Sequence, residues 1–306
     1  MTQDLFNPEP TVKPKPKATH RTRAQWKGEP TKFLSLGAGV QSSVLLMLAI
    51  CGEIERPDHV VFSDTGWEPA AVYEHLKWLR RQCMKTGIPM HITRADTPRV
   101  QHIRDDALHG HRTKTGIVRL DGRMPLFVDD DTGREGTITR RCSREYKVQP
   151  IRKLQRKLMG YKPGQRIPFS RCETMIGFST DEKRRARPSQ DVWNDNLFPL
   201  ITDVQMSRND CQAWWDKHYP HRRLQKSACI GCPFHTNAEW ARMKVEAPNE
   251  FADACDFDDH IRKVGGLRAT TYLHRSLKPL REVDLNEGQD ALDLQEHLSC
   301  TGGCGT

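Results

Sequence analysis

The chain has 306 residues, with 48 Lys and Arg against 39 Asp and Glu, a formal net charge of +9 and a mean hydropathy of -0.71. The length suffices for one large core or a core with a smaller addition. The longest apolar run, 44–51, is too short to span a bilayer, so no membrane partner is expected and the expected location is cytoplasmic.

In chain order, residues 1–30 are basic and proline-rich, without an apolar signal core, and read as a disordered arm. A strand is predicted over 32–36, a helix over 42–51, a strand over 59–63, a helix over 68–85 and a strand over 89–93. Val72, Leu76, Leu79 and Cys83 share one face of the second helix. Residues 95–140 read as a long irregular loop. A helix is predicted over 143–158, with Val148, Ile151, Leu154 and Leu158 inward and Pro150 either kinking it or marking its true start. A strand follows over 173–178. Two capping-box signals, Ser207 with Asp210 and Thr236 with Glu239, open further helices, and a last helix is predicted over 248–264. Strands alternating with helices predict an α/β fold, a parallel sheet with helices on both faces, plus a mostly helical C-terminal region. The expected units are the arm (1–30), a nucleotide-binding domain (31–205), a helical region containing cysteines (206–283) and a flexible tail (284–306).

Six motifs carry chemistry. The first, Ser35-Leu36-Gly37-Ala38-Gly39-Val40-Gln41-Ser42-Ser43, is a turn between strand and helix. Its helix mouth offers unpaired N–H groups to an anion, with Ser42 and Ser43 as added donors. It lacks the Gly-Lys-Ser/Thr ending of the common P-loop and the third glycine of the dinucleotide fingerprint. The second, Asp64-Thr65-Gly66, ends the next strand, where Asp64 is a candidate for a ribose hydroxyl or amino group. The third, Cys142 through Pro150, sets a cysteine beside Arg140 and Arg141 at a helix mouth, a setting that favours thiolate. In the fourth, Gly177 is followed by Asp181, Glu182, Arg184 and Arg185, and the two arginines are candidates to grip phosphate or sulfate.

The fifth motif, Cys229-Ile230-Gly231-Cys232-Pro233, suits a metal or cluster, with a redox dithiol and inert thiols as alternatives. Cys142 is a candidate third ligand, and Cys172, His235 or a tail cysteine a candidate fourth. In the sixth, Cys300 and Cys304 lie on a glycine-rich tail able to swing into a site. Cys51, Cys83, Cys211 and Cys255 read as core. The positive excess suits an acidic partner, a nucleic acid or a phosphorylated small molecule, and ten cysteines point to metal or redox chemistry.

Together these motifs resemble the phosphoadenosine phosphosulfate (PAPS) reductase family of the PP-loop ATP-pyrophosphatase superfamily, over residues 32–235. Residues 35–43 look like a variant of its Ser-Gly-Gly-x-x-Ser loop. Asp64-Thr65-Gly66 with Glu68 and Tyr73 is similar to its Asp-Thr-Gly segment. Cys142–Pro150 resembles Cys-x-x-x-Lys-Val-x-Pro, and Ile176-Gly177 with Asp181, Glu182 and Arg185 resembles its Gly-Ile-Arg-x-x-Glu-Ser-x-x-Arg segment.

The resemblance implies an adenine-nucleotide α-hydrolase-like fold. It implies ATP or PAPS bound through Ser35, Gly37, Gly39, Gln41, Ser42, Ser43, Asp64, Thr65, Gly66, Gly177, Asp181 and Glu182, with Arg184 and Arg185 on the acidic end. It also implies a [4Fe-4S] cluster on Cys142, Cys229 and Cys232, with zinc as the alternative. Cys300 or Cys304 would be the attacking thiol, a thiol or sulfur-donor protein the partner, and sulfonucleotide reduction or ATP-dependent sulfur transfer the reaction. Three features depart from the reductases: Arg141 rather than a cysteine precedes Cys142, the final segment 300–306 lacks Glu and His, and the basic arm and long loop look more like the sulfur-transfer proteins of DNA phosphorothioation. The alternatives are a modifying enzyme that thiolates nucleic acid and a zinc-containing nucleic-acid-binding protein.

Overall fold

The computed structural model describes residues 24–98, 100–109, 111–112, 118–119, 123–130, 135–138, 141–224, 226–262 and 269–286. The expectations for residues 1–23, for Arg140 and for the tail with Cys300 and Cys304 lie outside the described residues. Residues 24–30, counted with the arm, are anchored: Gln25 bridges to Phe169, Trp26 N–H donates to the Phe169 carbonyl, and Arg171 stacks 4.2 Å over the Trp26 ring.

The first half follows the alternation: β1 (Thr31–Leu36), α1 (Val40–Cys51), β2 (His59–Asp64), α2 (Ala70–Lys85) and β3 (Met90–Arg94). The segment read as irregular holds α3 (Ile103–His109), a two-residue pair β4 (His111–Arg112) and β5 (Val118–Arg119), then β6 (Phe127–Asp130) and β7 (Glu135–Thr137). The predicted 143–158 helix divides in two. Ser143–Val148 is π-helical and α4 (Gln149–Leu158) begins with Pro150 in its first turn, so the proline marks the true start. Next come β8 (Cys172–Ile176), β9 (Asn194–Leu197), α5 (Pro199–Thr202), α6 (Arg208–His218), α7 (Asn237–Glu246), α8 (Pro248–Ile261) and β10 (Ala269–Tyr272). Both predicted capping boxes are formed, Ser207 with Asp210 and Thr236 with Glu239.

The main sheet is five-stranded and entirely parallel, in the order β3-β2-β1-β8-β9. A parallel sheet is covered on both faces, so its strands bury both sets of side chains. Leu34 and Leu36 of β1 and Val60 and Phe62 of β2 face one side, where α1, α2 and α6 bring Leu45, Leu48, Leu76, Leu79 and Trp215. Phe33, Val61 and Cys172 face the other, against Ile151 of α4 with Ile167 and Trp193. A further core gathers Trp240 of α7 and Phe257 of α8 with Trp67, Leu126 and Tyr146. There β10, β6 and β7 form a small antiparallel sheet. The architecture is therefore α/β, a parallel sheet with helices on both faces. Cys83, Cys211 and Cys255 are buried as expected; Cys51, the last residue of α1, is exposed instead.

Candidate functional site

The chain runs outward from β1 through β2 to β3, then returns to the other side of β1 for β8 and β9. The strand order therefore reverses between β1 and β8, where parallel sheets leave a crevice beyond their carboxyl ends. An open cleft with about 980 Å³ of empty space lies there, walled by the Ser35–Ser42 turn, Ile176–Phe178 and four cations: Lys147, Arg185, Arg208 and Lys226.

The turn after β1 is bent at Ala38, whose φ of 56° is left-handed, a conformation costing an alanine roughly 1–2 kcal/mol. Ser42 Oγ accepts the Gly37 N–H at 3.2 Å and donates to the Gly39 carbonyl at 3.3 Å, closing the turn on itself. Gly39 is the N-cap of α1, with no side-chain cap and no acidic residue in the first turn. Its orphan N–H groups and the positive end of the helix dipole are left for an anion. Gly177, at the end of β8, allows this packing. A Cβ there would stand 2.9 Å from both Cα and N of Ser42.

Five cradle candidates, Ser35, Gly37, Gly39, Gln41 and Ser42, line the cleft, as do Gly177 and Glu182. Gln41 donates to Glu182 Oε2 at 2.9 Å, Arg185 pairs with Glu182, and the Arg185 guanidinium lies 4.4 Å over the Phe178 ring. Ser43 differs. It is fully buried, and its hydroxyl is 2.9 Å from His75 Nε2 on α2, away from the cleft. Burial, with Arg222 nearby, lowers the His75 pKa to about 4, so that ring is neutral.

Asp64, Thr65 and Gly66 also sit elsewhere than expected, since none lines the cleft. Asp64 is buried and accepts from the Tyr73 hydroxyl at 2.8 Å and the Gly66 N–H at 2.7 Å, and pairs with Arg94. Burial alone would raise its pKa, but these three donors outweigh it and the carboxyl titrates below its ordinary 3.8. These contacts tie the end of β2 to α2 and β3. Asp181 accepts the Arg208 N–H at 2.6 Å and so tethers the start of α6. Arg184 is exposed and outside the cleft wall; Arg208, on α6, supplies the second arginine instead.

Cys142, Cys229 and Cys232 line one pocket of about 530 Å³, with Thr65, Met124, Pro125 and Phe234. Lys147 and Ser227 line both this pocket and the cleft after β1, so the two spaces share a wall. Cys229 Sγ lies 3.3 Å from Thr65 Oγ1, which donates to Glu68 Oε1 at 3.0 Å. Burial, reinforced by the Glu68 charge, pushes the Cys229 pKa well up, so without a bound cation it is a thiol. Glu68 Oε2 is buried without a hydrogen-bond partner.

Among the described residues, no group of three or more His, Cys, Asp or Glu side chains is placed to hold a metal ion. His235 turns its Nε2 to the Cys229 carbonyl at 3.0 Å, and Cys172 donates to Asn194 Oδ1 at 3.1 Å in another core. The three cysteines line one largely apolar pocket, and thiolates are the soft donors that both zinc and iron–sulfur sites take.

Sequence reasoning assigned no role to Lys147, Arg208, Lys226 or Ser227. Lys147 and Ser227 lay within quoted motifs and Lys226 at the end of a basic run, but only the long-range packing brings them to one wall.

No family model matches the chain, and no curated protein matches it. Among solved structures, the chain is similar to the phosphoadenylyl-sulfate (PAPS) reductase from Candida auris, determined as a phosphate complex. The identity is 13%, over 62% of this chain and 73% of that one, with a TM-score of 0.36. The fold class rests on the strand order and register of the chain itself.

Proposed function

We propose that this chain is an enzyme that binds an adenine nucleotide, ATP or PAPS, in the cleft between β1 and β8, and performs sulfur chemistry at the adjoining thiol pocket. The single observation that carries this reading is the shared wall. A cleft with four cations and a pocket with three cysteines have Lys147 and Ser227 in common.

In this reading the turn amides at the mouth of α1, with Ser42, hold the phosphates. Arg185 and Arg208 neutralise the charge that builds up as a phosphate or sulfate leaves. Cys142, Cys229 and Cys232 are the residues that would hold an iron–sulfur cluster, which would supply an electron-rich or sulfur-binding iron when bound. For reductive chemistry, Cys300 or Cys304 attacks the sulfur of PAPS, forming an S–S bond as the S–O bond breaks and the nucleotide bisphosphate leaves. A second thiol then displaces sulfite and leaves a disulfide. For ATP-dependent sulfur transfer, pyrophosphate is the leaving group instead. Exposed Lys183, Arg184 and Arg187 beside the cleft favour a nucleic acid as the acceptor in that second version.

Isothermal titration of the full chain with ATP and with PAPS tests the cleft; anaerobic iron, sulfide and zinc analysis tests the thiols. Sulfite release identifies the reductase and pyrophosphate release the transferase. No binding of either nucleotide overturns the proposal. Stoichiometric zinc in a colourless protein would overturn the cluster.

A further inference from the structure

Lys226 and Ser227 belong to the loop between α6 and α7, far in sequence from the turn after β1, yet they lie against it. The Cβ that Gly39 lacks would stand 3.0 Å from Ser227 Cβ and 3.3 Å from its backbone N; that of Gly37 would stand 3.5 Å from Ser227 Oγ. Gly37 and Gly39 are not among the residues with positive φ; Ala38 takes the left-handed conformation between them. The demand for glycine at 39 therefore comes from the approach of Ser227 rather than from the backbone. The Ser227 hydroxyl reaches the cleft wall and has no hydrogen-bond partner among the described residues.

Lys226 lines the same cleft. An ammonium has three donors. Two are used, to Glu239 Oε2 at 2.8 Å and to the Phe234 carbonyl at 3.3 Å, both from the α7 side. Lys226 lines the cleft, and its side chain is 16% exposed. Glu239 is itself fixed by the Thr236 N–H at 2.9 Å within the capping box of α7, so it fixes the ammonium at the cleft's edge with one donor beyond these two.

We infer that Lys226 and Ser227 are anion ligands of the nucleotide cleft, contributed by the C-terminal half of the chain to complete the cradle after β1. The inference rests on the reading of that cleft as a nucleotide site. The segment continues through Ala228 to Cys229, so the residues that grip the phosphates and a thiol of the neighbouring pocket lie on one short stretch of backbone.

The test is titration of the full chain with ATP and with PAPS, in the native sequence and in Lys226→Gln and Ser227→Ala. Whichever nucleotide the native chain binds, Lys226→Gln is expected to bind about tenfold more weakly or worse, with a shallower salt dependence, and Ser227→Ala several-fold more weakly. Native binding with unchanged affinity in both variants overturns the inference and leaves the nucleotide reading standing; absence of native binding overturns both. A separate readout tests the packing without a ligand. Gly39→Ala lowers the unfolding temperature, and adding Ser227→Gly restores most of the loss. A Gly39→Ala defect that Ser227→Gly does not relieve overturns the claim that Ser227 sets the need for glycine.

Discussion

Gly177→Ala isolates the geometry on which the cleft depends. Its added methyl would stand 2.9 Å from Ser42 Cα and N and 3.2 Å from Gln41 C, and all three are backbone atoms that no rotamer change can move aside. Reaching a tolerable carbon separation needs an outward shift of roughly 0.6 Å or more. That shift falls on the first turn of α1, whose N–H groups form the anion cradle, against Leu45 and Leu48, which are buried in the main core. Overpacking of this kind costs about 1–3 kcal/mol. The cost to binding is the greater one, because displacing a preorganised cradle by about 1 Å can cost on the order of 10²-fold in function. Calorimetric titration with ATP and PAPS beside a thermal melt separates the two effects: affinity should fall by tenfold or more while the protein remains folded. A variant that binds and melts like the native chain would refute the reasoning, because it would mean that β8 and α1 are not in contact where the cradle forms.

Ser42 and Ser43 form a paired test: Ser42→Ala weakens nucleotide affinity several-fold, whereas Ser43→Ala leaves it unchanged and costs stability of about 1–3 kcal/mol by stripping His75 of its partner. Equal affinity losses in both, by titration, would contradict the placement. Asp64 is ionised below its ordinary pKa, so its contribution to stability is present above about pH 3.8 and is lost as the pH falls through its folded value. Denaturation curves at pH 7 and pH 3 should therefore show a steeper loss in the native chain than in Asp64→Asn. In native, metal-free protein at pH 8, a maleimide should label Cys51 and spare Cys83, Cys172, Cys211 and Cys255. Burial pushes the pKa values of those four thiols to about 11, about 12, about 12 and about 11. Peptide mapping that finds Cys172 labelled before unfolding would overturn that burial.

What could be read from the sequence depended on how local its cause was. The apolar face of α2 recurs with helical period, and Val72, Leu76, Leu79 and Cys83 all pack in the main core. The capping boxes are complete within four residues. β9 was missed because Asn194-Asp195-Asn196-Leu197 has no apolar alternation. It is a strand because β8 offers a free edge, with Cys172 in register with Asn194. Ser42 and Ser43 show the limit within one motif. Neighbours on a helix point about 100° apart, so one reaches the cleft and the other His75, and a motif written as letters does not say which. Asp64 looks like a ligand until Tyr73 and Arg94, nine and thirty residues further on, take its oxygens.

The turn that carries Lys147 has a cause that the sequence does contain, in the proline four residues after Tyr146. In an α-helix the Tyr146 carbonyl would accept from the N–H of residue 150, and Pro150 has none. The backbone widens into a π-turn over Ser143–Val148, and the Ser63 hydroxyl on β2 donates to the Tyr146 carbonyl at 2.6 Å. The widening sets the direction of the residue between them in the turn, Lys147, which reaches the wall shared by the cleft and the thiol pocket, 3.8 Å from Glu68 Oε1. Pro150→Ala restores the missing donor and lets the segment regularise. Stability should fall only modestly, since Pro150 is buried in the first turn of α4, where proline already fits. Nucleotide affinity should fall by tenfold or more as Lys147 turns off the shared wall. A variant equally stable and equally tight would show that the proline does not hold the turn open, and that Lys147 owes its position to Glu68 and the pocket walls alone.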